Sequence, residues 1–172
     1  DILNTSFYHN NFDQLDLDFC NGNLINNKFI SYSNKKNEGN GGDGIDLSGS
    51  NILISNNQIK NLTDKGISVG EKSKALIIEN EFIKNNIAIA IKDESQIYEV
   101  KNNFIDNSLN FSMYIKKNFF KEPILYLNDP EESTSITKED YEILDGKIIF
   151  IEQSNILKFN NEFKNEIIAS RI

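Results

Sequence analysis

A repeat of 22 residues constrains this sequence more strongly than any other feature. Four segments share one short pattern of apolar residues alternating with small or polar ones, and each begins 22 residues after the one before: Gly44–Leu47, Gly66–Val69, Ala88–Ile91 and Asn110–Met113. Self-similarity at a fixed period of this size is typical of solenoids, in which each repeat buries its apolar face against its neighbours. The period therefore predicts a stack of coils of about 22 residues each.

Two columns of residues can be aligned in this register. The first column is aromatic or aliphatic and comprises Phe7, Phe29, Ile59, Phe82 and Phe104. Two residues before each of its members stands a polar residue: Thr5, Asn27, Asn57, Asn80 and Asn102. The second column consists of pairs of apolar residues two positions apart: Leu15 and Leu17, Ile45 and Leu47, Ile67 and Val69, Ile89 and Ile91, Phe111 and Met113. Strands alternate inward and outward residues, so stacking coils at roughly 4.8 Å places like residues over like.

Other solenoid classes do not fit. The Leu-x-x-Leu-x-Leu spacing of a leucine-rich horseshoe is missing, and no 3.6-residue periodicity supports stacked helices. The spacing therefore suits a large three-faced solenoid of β-strands. Asparagines at the turns are expected to adopt the left-handed conformation and to stack their amides from coil to coil.

The repeat also suggests how the chain is organised. We expect a single domain over residues 1–172, belonging to a larger protein, with regular coils over 1–117, an irregular segment over 118–145 and a further coil over 146–172. The further coil is predicted because Gly146–Phe163 parallels residues 42–59 at a constant offset of 104. Within the irregular segment, Ile124–Leu127 is a candidate strand. One step of 30 residues instead of 22 marks a polar, glycine-rich loop over residues 34–42.

Composition excludes several classes of function. The net charge of −8 and the absence of a basic stripe disfavour nucleic acid and anionic membranes as partners. No apolar run approaches the roughly 20 residues of a transmembrane helix. The single cysteine, Cys20, excludes an intrachain disulfide and is expected to be a buried hydrophobe. The single histidine, His9, lies in a polar stretch that we interpret as surface, so histidine-based metal sites and triads have little support.

Several motifs carry a resemblance to a known superfamily. They are Gly41–Ser50, Asp64–Glu71, Lys92–Ser95 and Tyr114–Phe119. These motifs resemble the right-handed parallel β-helix repeats of the pectate-lyase-like solenoids, and more narrowly the β-helix region found with CotH-kinase-type surface proteins of bacteria. The resemblance implies an all-β fold, a single-stranded right-handed parallel β-helix. It also implies an extracellular or cell-envelope location and a link to polysaccharide, but no particular reaction, because the superfamily includes lyases, hydrolases, epimerases and adhesive solenoids.

The register also stacks outward residues on one face. Two outward columns are predicted: Asp16, Asp46, Ser68, Ala90 and Ser112, and, two positions on, Asp18, Ser48, Gly70, Lys92 and Tyr114. In the same register Asp43 falls above Lys65. Stacked carboxylates repel, so they should either bind a cation or have raised pKa values.

This face has two interpretations. As a site, Asp16, Asp18 and Asp46 would bind calcium, and Asp46, Lys65 and Lys92 would be catalytic, with a lysine removing the proton next to a uronate carboxylate, as in pectate-lyase-like enzymes. The substrate-binding residues would then be Asp43, Ser68, Glu71, Asp93, Tyr114 and Lys116. As a scaffold, the same face is a solvated polar surface held by Asp46–Ser68 hydrogen bonds and an Asp43–Lys65 pair. The only arginine, Arg171, is far from this face, which weakens the lyase interpretation.

Several smaller features of the sequence also have a functional and a structural interpretation. Lys72, Glu94 and Lys116 form a column of alternating charge that we interpret as structural. Glu71 would lie above Asp93, which is unfavourable unless Lys92 or Lys117 is close. The aromatic residues near the end of the regular coils could be a platform for sugar rings or a cover for the core: Tyr114, Phe119 and Phe120. The loop over residues 34–42 is either part of a site or a tolerated insertion.

Two functions therefore remain. The first is a non-catalytic module of a secreted or surface protein that presents a flat polar face to carbohydrate or protein, with a cell-envelope glycan or another domain of the parent chain as partner. The second is a polysaccharide lyase or epimerase that acts on an acidic glycan, with or without calcium.

Overall fold

The computed structural model describes residues 1–8, 12–31, 42–128 and 141–152, together with residues 155, 158, 161–163 and 165. Several of the predictions above lie outside these residues. They concern His9, residues 34–41 of the glycine-rich loop and Arg171.

The described chain forms β-strands that recur three times in each coil. In chain order the strands are β1 (Ile2–Leu3), β2 (Ser6–Tyr8), β3 (Leu15–Asp18), β4 (Asn21–Ile25), β5 (Lys28–Ile30), β6 (Ile45–Ser48), β7 (Asn51–Ser55), β8 (Gln58–Lys60), β9 (Lys65–Gly70), β10 (Lys74–Ile78), β11 (Glu81–Ile83), β12 (Ile87–Lys92), β13 (Gln96–Val100), β14 (Asn103–Ile105), β15 (Leu109–Tyr114), β16 (Ile124–Asn128), β17 (Tyr141–Ile143) and β18 (Lys147–Ile151).

These strands build three parallel sheets. Sheet A is β1-β4-β7-β10-β13-β16-β18, sheet B is β2-β5-β8-β11-β14, and sheet C is β3-β6-β9-β12-β15-β17. Each strand pairs with the strand one coil away, so the chain winds through sheets C, A and B in turn. The all-β parallel β-helix expected from the period is confirmed.

The core is the set of inward columns that the repeat predicts. Phe29 pairs in register with Phe7 on one side and Ile59 on the other, and Phe82 pairs with Phe104. The Phe7 and Phe29 rings stack with centroids 4.8 Å apart. Cys20, expected to be buried, is half-buried and packs against this core.

Neither of the two columns of apolar residues aligned from the sequence lies in sheet A. Its strands β7 and β10 are apolar on both faces: in β7 the residues Ile52, Leu53 and Ile54 are all buried. A strand buried on both faces does not alternate, so it lacks the period-two signal. The outer side is covered because Phe163 packs with Leu53 in a second apolar cluster, outside the sheet.

The C-terminal part corrects the prediction of a further coil over residues 146–172. Strand β18 does add a rung to sheet A by pairing with β16. Beyond it, however, the described residues 155, 158, 161–163 and 165 are helical, although their sequence parallels a stretch with two strands. The segment 118–145 is also more regular than expected, since β16 and β17 continue sheets A and C. The division of the chain into these parts otherwise stays a prediction.

The predicted stacking of asparagine amides is present between sheets A and B. Asn57 Oδ1 accepts from the Asn27 backbone N–H at 2.8 Å, and Asn57 Nδ2 donates to Asn80 Oδ1 at 2.9 Å. The next rung is Asn102, whose Nδ2 donates to Glu99 Oε1 at 2.9 Å, so the ladder ends on a carboxylate. Asparagines at the turns adopt the left-handed conformation as expected, with φ 58° at Asn26 and 56° at Asn56. They stand just before the asparagines whose amides stack.

Candidate functional site

The outer face of sheet C carries the outward columns in the predicted register. Asp46 pairs with Asp16 on one side and with Ser68 on the other, and Ala90 lies between Ser68 and Ser112. This face is less solvated than expected. The Ser68 side chain is fully buried, and its Oγ has no hydrogen-bond partner, so the expected Asp46–Ser68 bond is not formed.

Lys65 is shared between two carboxylates at the entrance of this face. Its Nζ lies 3.2 Å from Asp43 Oδ1 and 2.6 Å from Asp64 Oδ2. The Asp43–Lys65 pair was predicted from the register. Asp64 was missed, although it directly precedes Lys65 in the sequence.

The electrostatics of this cluster oppose a basic role for Lys65. Burial lowers the pKa of Lys65, but the hydrogen bond and charge of Asp64 and the charge of Asp43 raise it above its usual value. Burial raises the pKa of Asp43 to about 6, against the attraction of Lys65 and with the help of Asp64 and Asp46. The pKa of Asp43 stays above its usual value although Asp43 is paired, because Lys65 shares its single positive charge between Asp43 and Asp64. Lys65 is therefore held as a cation and is a poor base.

Lys92 has a different environment. Its Nζ lies 3.8 Å from Asp46 Oδ1, and its side chain is buried. Burial lowers the pKa of Lys92, and the positive charge of Lys116 adds to this, while Asp46 opposes it. Gly70 makes room for the lysine stem: a Cβ on Gly70 would lie 3.3 Å from Lys92 Cε. Of the two predicted catalytic lysines, Lys92 is the one whose pKa is lowered.

The remaining predicted binding residues mostly hold the turns together. Asp93 is buried, and its Oδ1 accepts from the backbone N–H groups of Lys116 (2.7 Å) and Lys117 (2.8 Å). Lys117 Nζ also donates to Glu71, which is the arrangement that relieves the Glu71–Asp93 repulsion. The expectation that Asp93 and Ser68 lie on an exposed surface is wrong, because tight stacking of the coils closes both away from water.

Three of the predicted binding residues are at least partly accessible, and Glu71, in its pair with Lys117, is one of them. Lys116 is exposed, and Tyr114 is partly buried, with a pKa raised by burial. Tyr114 pairs in register with Lys92, so its ring lies on the same outer face.

The stacked carboxylates do not converge as calcium ligands. Asp16 and Asp18 are exposed, and burial together with the charges of Asp18, Asp46 and Asp13 raises the pKa of Asp16. Within the described ranges, no three or more acidic, histidine or cysteine side chains form a group able to hold a metal ion. Calcium is therefore not supported by this donor set, and the assignment of Asp16, Asp18 and Asp46 stays a prediction.

An open cavity lies elsewhere, at the corner between sheets C and A. Its volume is about 510 Å³, and Glu94, Gln96, Lys121 and Lys147 are among its walls. The predicted charge column reaches this corner, where Lys72 Nζ lies 3.6 Å from Glu94 Oε2. Sequence reasoning missed the cavity because its wall is an extended turn, residues 115–123, that replaces a three-residue turn, residues 93–95, of the preceding coil.

Comparisons with known proteins bear on the fold. Neither a curated protein nor a solved structure matches the chain. No helix in the part of the chain that the structure describes is long and apolar enough to cross a membrane. A family model described as the right handed beta helix region matches residues 1–170. Together with the three parallel sheets, that match places this chain in the right-handed β-helix family.

Proposed function

We propose that this chain is a non-catalytic parallel β-helix module that binds carbohydrate on its lateral surface, as part of a secreted or surface protein of a bacterium. The location follows only from the resemblance of its motifs to bacterial surface solenoids. The partner class follows from the same resemblance and from the acidic, rigid surface, which disfavours nucleic acid.

The observation that carries the proposal is the state of the charged groups on sheet C. The ammonium group of Lys65 is held by Asp43 and Asp64, and that of Lys92 by Asp46. These groups lie in ion pairs with one another, whereas catalysis requires acid and base groups that open onto a cleft able to hold a substrate. Paired in this way, they stabilise the stacking of coils and leave a rigid surface for binding.

A lyase or epimerase remains the second candidate, and one observation favours it. Lys92 has a lowered pKa and lies beside Asp46 and in register with Tyr114. A neutral lysine could remove the proton from the carbon next to a uronate carboxylate, as β-elimination and epimerisation both require. Against this, the Lys92 side chain is only 7% exposed.

The test is a glycan-array screen of the chain with and without calcium, combined with an assay for unsaturated products on uronate polymers. The module predicts binding to at least one glycan without turnover, and the same binding in the Lys92→Met and Asp46→Ala variants. Asp46→Ala should change stability alone.

Two results would overturn the proposal. Unsaturated products that disappear in Lys92→Met, with an unchanged circular dichroism spectrum, would establish the lyase instead. The absence of binding to every glycan on the array would remove carbohydrate as the partner.

A further inference from the structure

The corner between sheets C and A is longer after β15 than in the coils that precede it. Nine residues, 115–123, separate β15 from β16, whereas three residues, 93–95, separate β12 from β13. In solenoids, an insertion in one repeat projects from one face, and that face is often the binding face. The extended turn forms one wall of the cavity of about 510 Å³.

The extended turn presents an aromatic pair beside this cavity. Phe119 is 74% exposed, and its ring centroid lies 4.6 Å from that of Phe120. Phe120 is fixed from the other side, since Lys72 Nζ lies 5.8 Å from its ring centroid. An exposed phenyl ring on a supported turn is a costly arrangement in water, and such a ring is available for stacking.

Glu94 joins the aromatic pair to the cavity. Its Oε2 accepts from the Lys121 backbone N–H at 3.3 Å and lies 3.6 Å from Lys72 Nζ. Both Glu94 and Lys121 line the cavity. The phenyl platform and the cavity are therefore parts of one continuous surface.

The charges of the cavity identify the class of ligand. Its walls carry two carboxylates, Glu94 and Glu122, and two ammonium groups, Lys121 and Lys147, along with the amide of Gln96. The Lys147–Glu122 pair, at 3.5 Å, is exposed and therefore weak, so both groups can exchange partners. Ile115 and Ile124 also line the cavity. Balanced donors and acceptors beside apolar side chains suit a neutral sugar, which has both hydroxyl groups and C–H faces, better than the carboxylate of a uronate.

We propose that this corner is a sugar-binding subsite for a neutral hexose polysaccharide, with one pyranose in the cavity and its neighbour stacked on Phe119. The C–H face of the sugar ring meets the negative face of the phenyl ring, while Glu94 and Gln96 bind hydroxyl groups. This inference rests on the proposed function and assigns to it a site away from sheet C.

The test is affinity electrophoresis of the purified chain against neutral polysaccharides (glucans and mannans) and uronate polymers (polygalacturonate and alginate). We expect a neutral polysaccharide to retard the chain, and Phe119→Ala and Glu94→Gln each to raise Kd at least about tenfold. The matched control is Phe12→Ala, because Phe12 is 77% exposed but lies by the first strand of sheet C. The control should bind as the unsubstituted chain does.

The outcomes separate the two proposals. Neutral-glycan binding that survives both Phe119→Ala and Glu94→Gln would overturn this site and leave the module intact, as would binding to uronate polymers alone. Binding to no polysaccharide would overturn both. In that case, binding to a peptide array that depends on Phe119 would identify the corner as a protein-binding surface.

Discussion

Lys92 reaches back across one strand of sheet C to place its ammonium group 3.8 Å from the carboxylate of Asp46, two strands away. The lysine stem lies over Gly70, the residue at the intervening position. This long-range pair therefore spans three coils.

Removing the lysine should lower stability, because one oxygen of the partly exposed Asp46 carboxylate is buried beside it. Asp46 Oδ1 has no hydrogen-bond partner, so Lys92→Met leaves it in a poorly solvated position with no nearby cation. We expect a loss of about 1–3 kcal/mol in the free energy of unfolding, measured by urea denaturation. Asp46→Asn in the same background should recover part of that loss, because the charge is then absent. Equal stability of Lys92→Met and the unsubstituted chain would contradict a structural role for the pair.

The raised pKa of Asp43 makes stability depend on pH. The folded chain keeps a proton on Asp43 up to about pH 6, whereas the unfolded chain releases it near 3.8. The folded state thus binds more protons in this window, so its stability falls as the pH rises from about 4 to 6 and then levels off. Asp43→Asn mimics the protonated form and should lose this slope.

Denaturation of both proteins at several pH values measures the effect. The advantage of Asp43→Asn over the unsubstituted chain should grow by on the order of 2–3 kcal/mol between pH 4 and pH 7. Parallel stability curves for the two proteins would show that Asp43 has no raised pKa.

The asparagine ladder should be the most sensitive polar feature. Asn57→Ala removes the acceptor of the Asn27 backbone N–H (2.8 Å) and the donor to the Leu24 carbonyl (2.9 Å). The buried Asn27 N–H then loses this acceptor and the Leu24 carbonyl loses one donor, so we expect a loss of roughly 2–4 kcal/mol by thermal or urea unfolding. Asn86→Ala is the control, since that side chain is exposed, and it should change stability by less than about 0.5 kcal/mol.

Substituting alanine for each of two glycines in strand β9 should reduce the stability of the protein by different amounts. A Cβ on Gly66 would lie 2.6 Å from the Ala88 carbonyl oxygen, which belongs to the backbone of the next strand and cannot move aside. On Gly70 the closest atom is the end of the flexible Lys92 side chain. Gly66→Ala should therefore cost at least about 2 kcal/mol and Gly70→Ala clearly less. A reversed order in melting experiments would mean that the strand spacing at Gly66 is wider than the structure has it.

Much of the fold could be predicted because the residues that repeat every 22 positions are the ones that point into the core. Phe29 and Phe82 recur at positions where side chains of the same kind must stack, so their order in sheet B follows from the sequence alone. The Asp43–Lys65 pair followed from the same register. Of sheet A, the candidate strand Ile124–Leu127 was predicted and is β16. The central strands lack the alternating pattern, because residues such as Leu53 are buried from outside by Phe163, and that contact joins segments about a hundred residues apart.

The candidate site was predicted less well. The sequence placed Asp46, Ser68 and Lys92 on one face, and the structure agrees. It could not show that Ser68 is buried or that Lys92 folds back onto Asp46, because side-chain direction across strands depends on packing. The corner cavity could not be predicted from the sequence, because an extended turn has no periodic pattern of residues.

The sequence by itself determined the coil, its period and the residues that stack, because a repeat that buries one face against its neighbours fixes the register. Only the tertiary structure decided which outward groups are accessible, which charges neutralise one another and where the helical C-terminal residues pack. Those outcomes depend on contacts between distant coils and on the local exclusion of water. Neither of these produces a periodic pattern in the sequence.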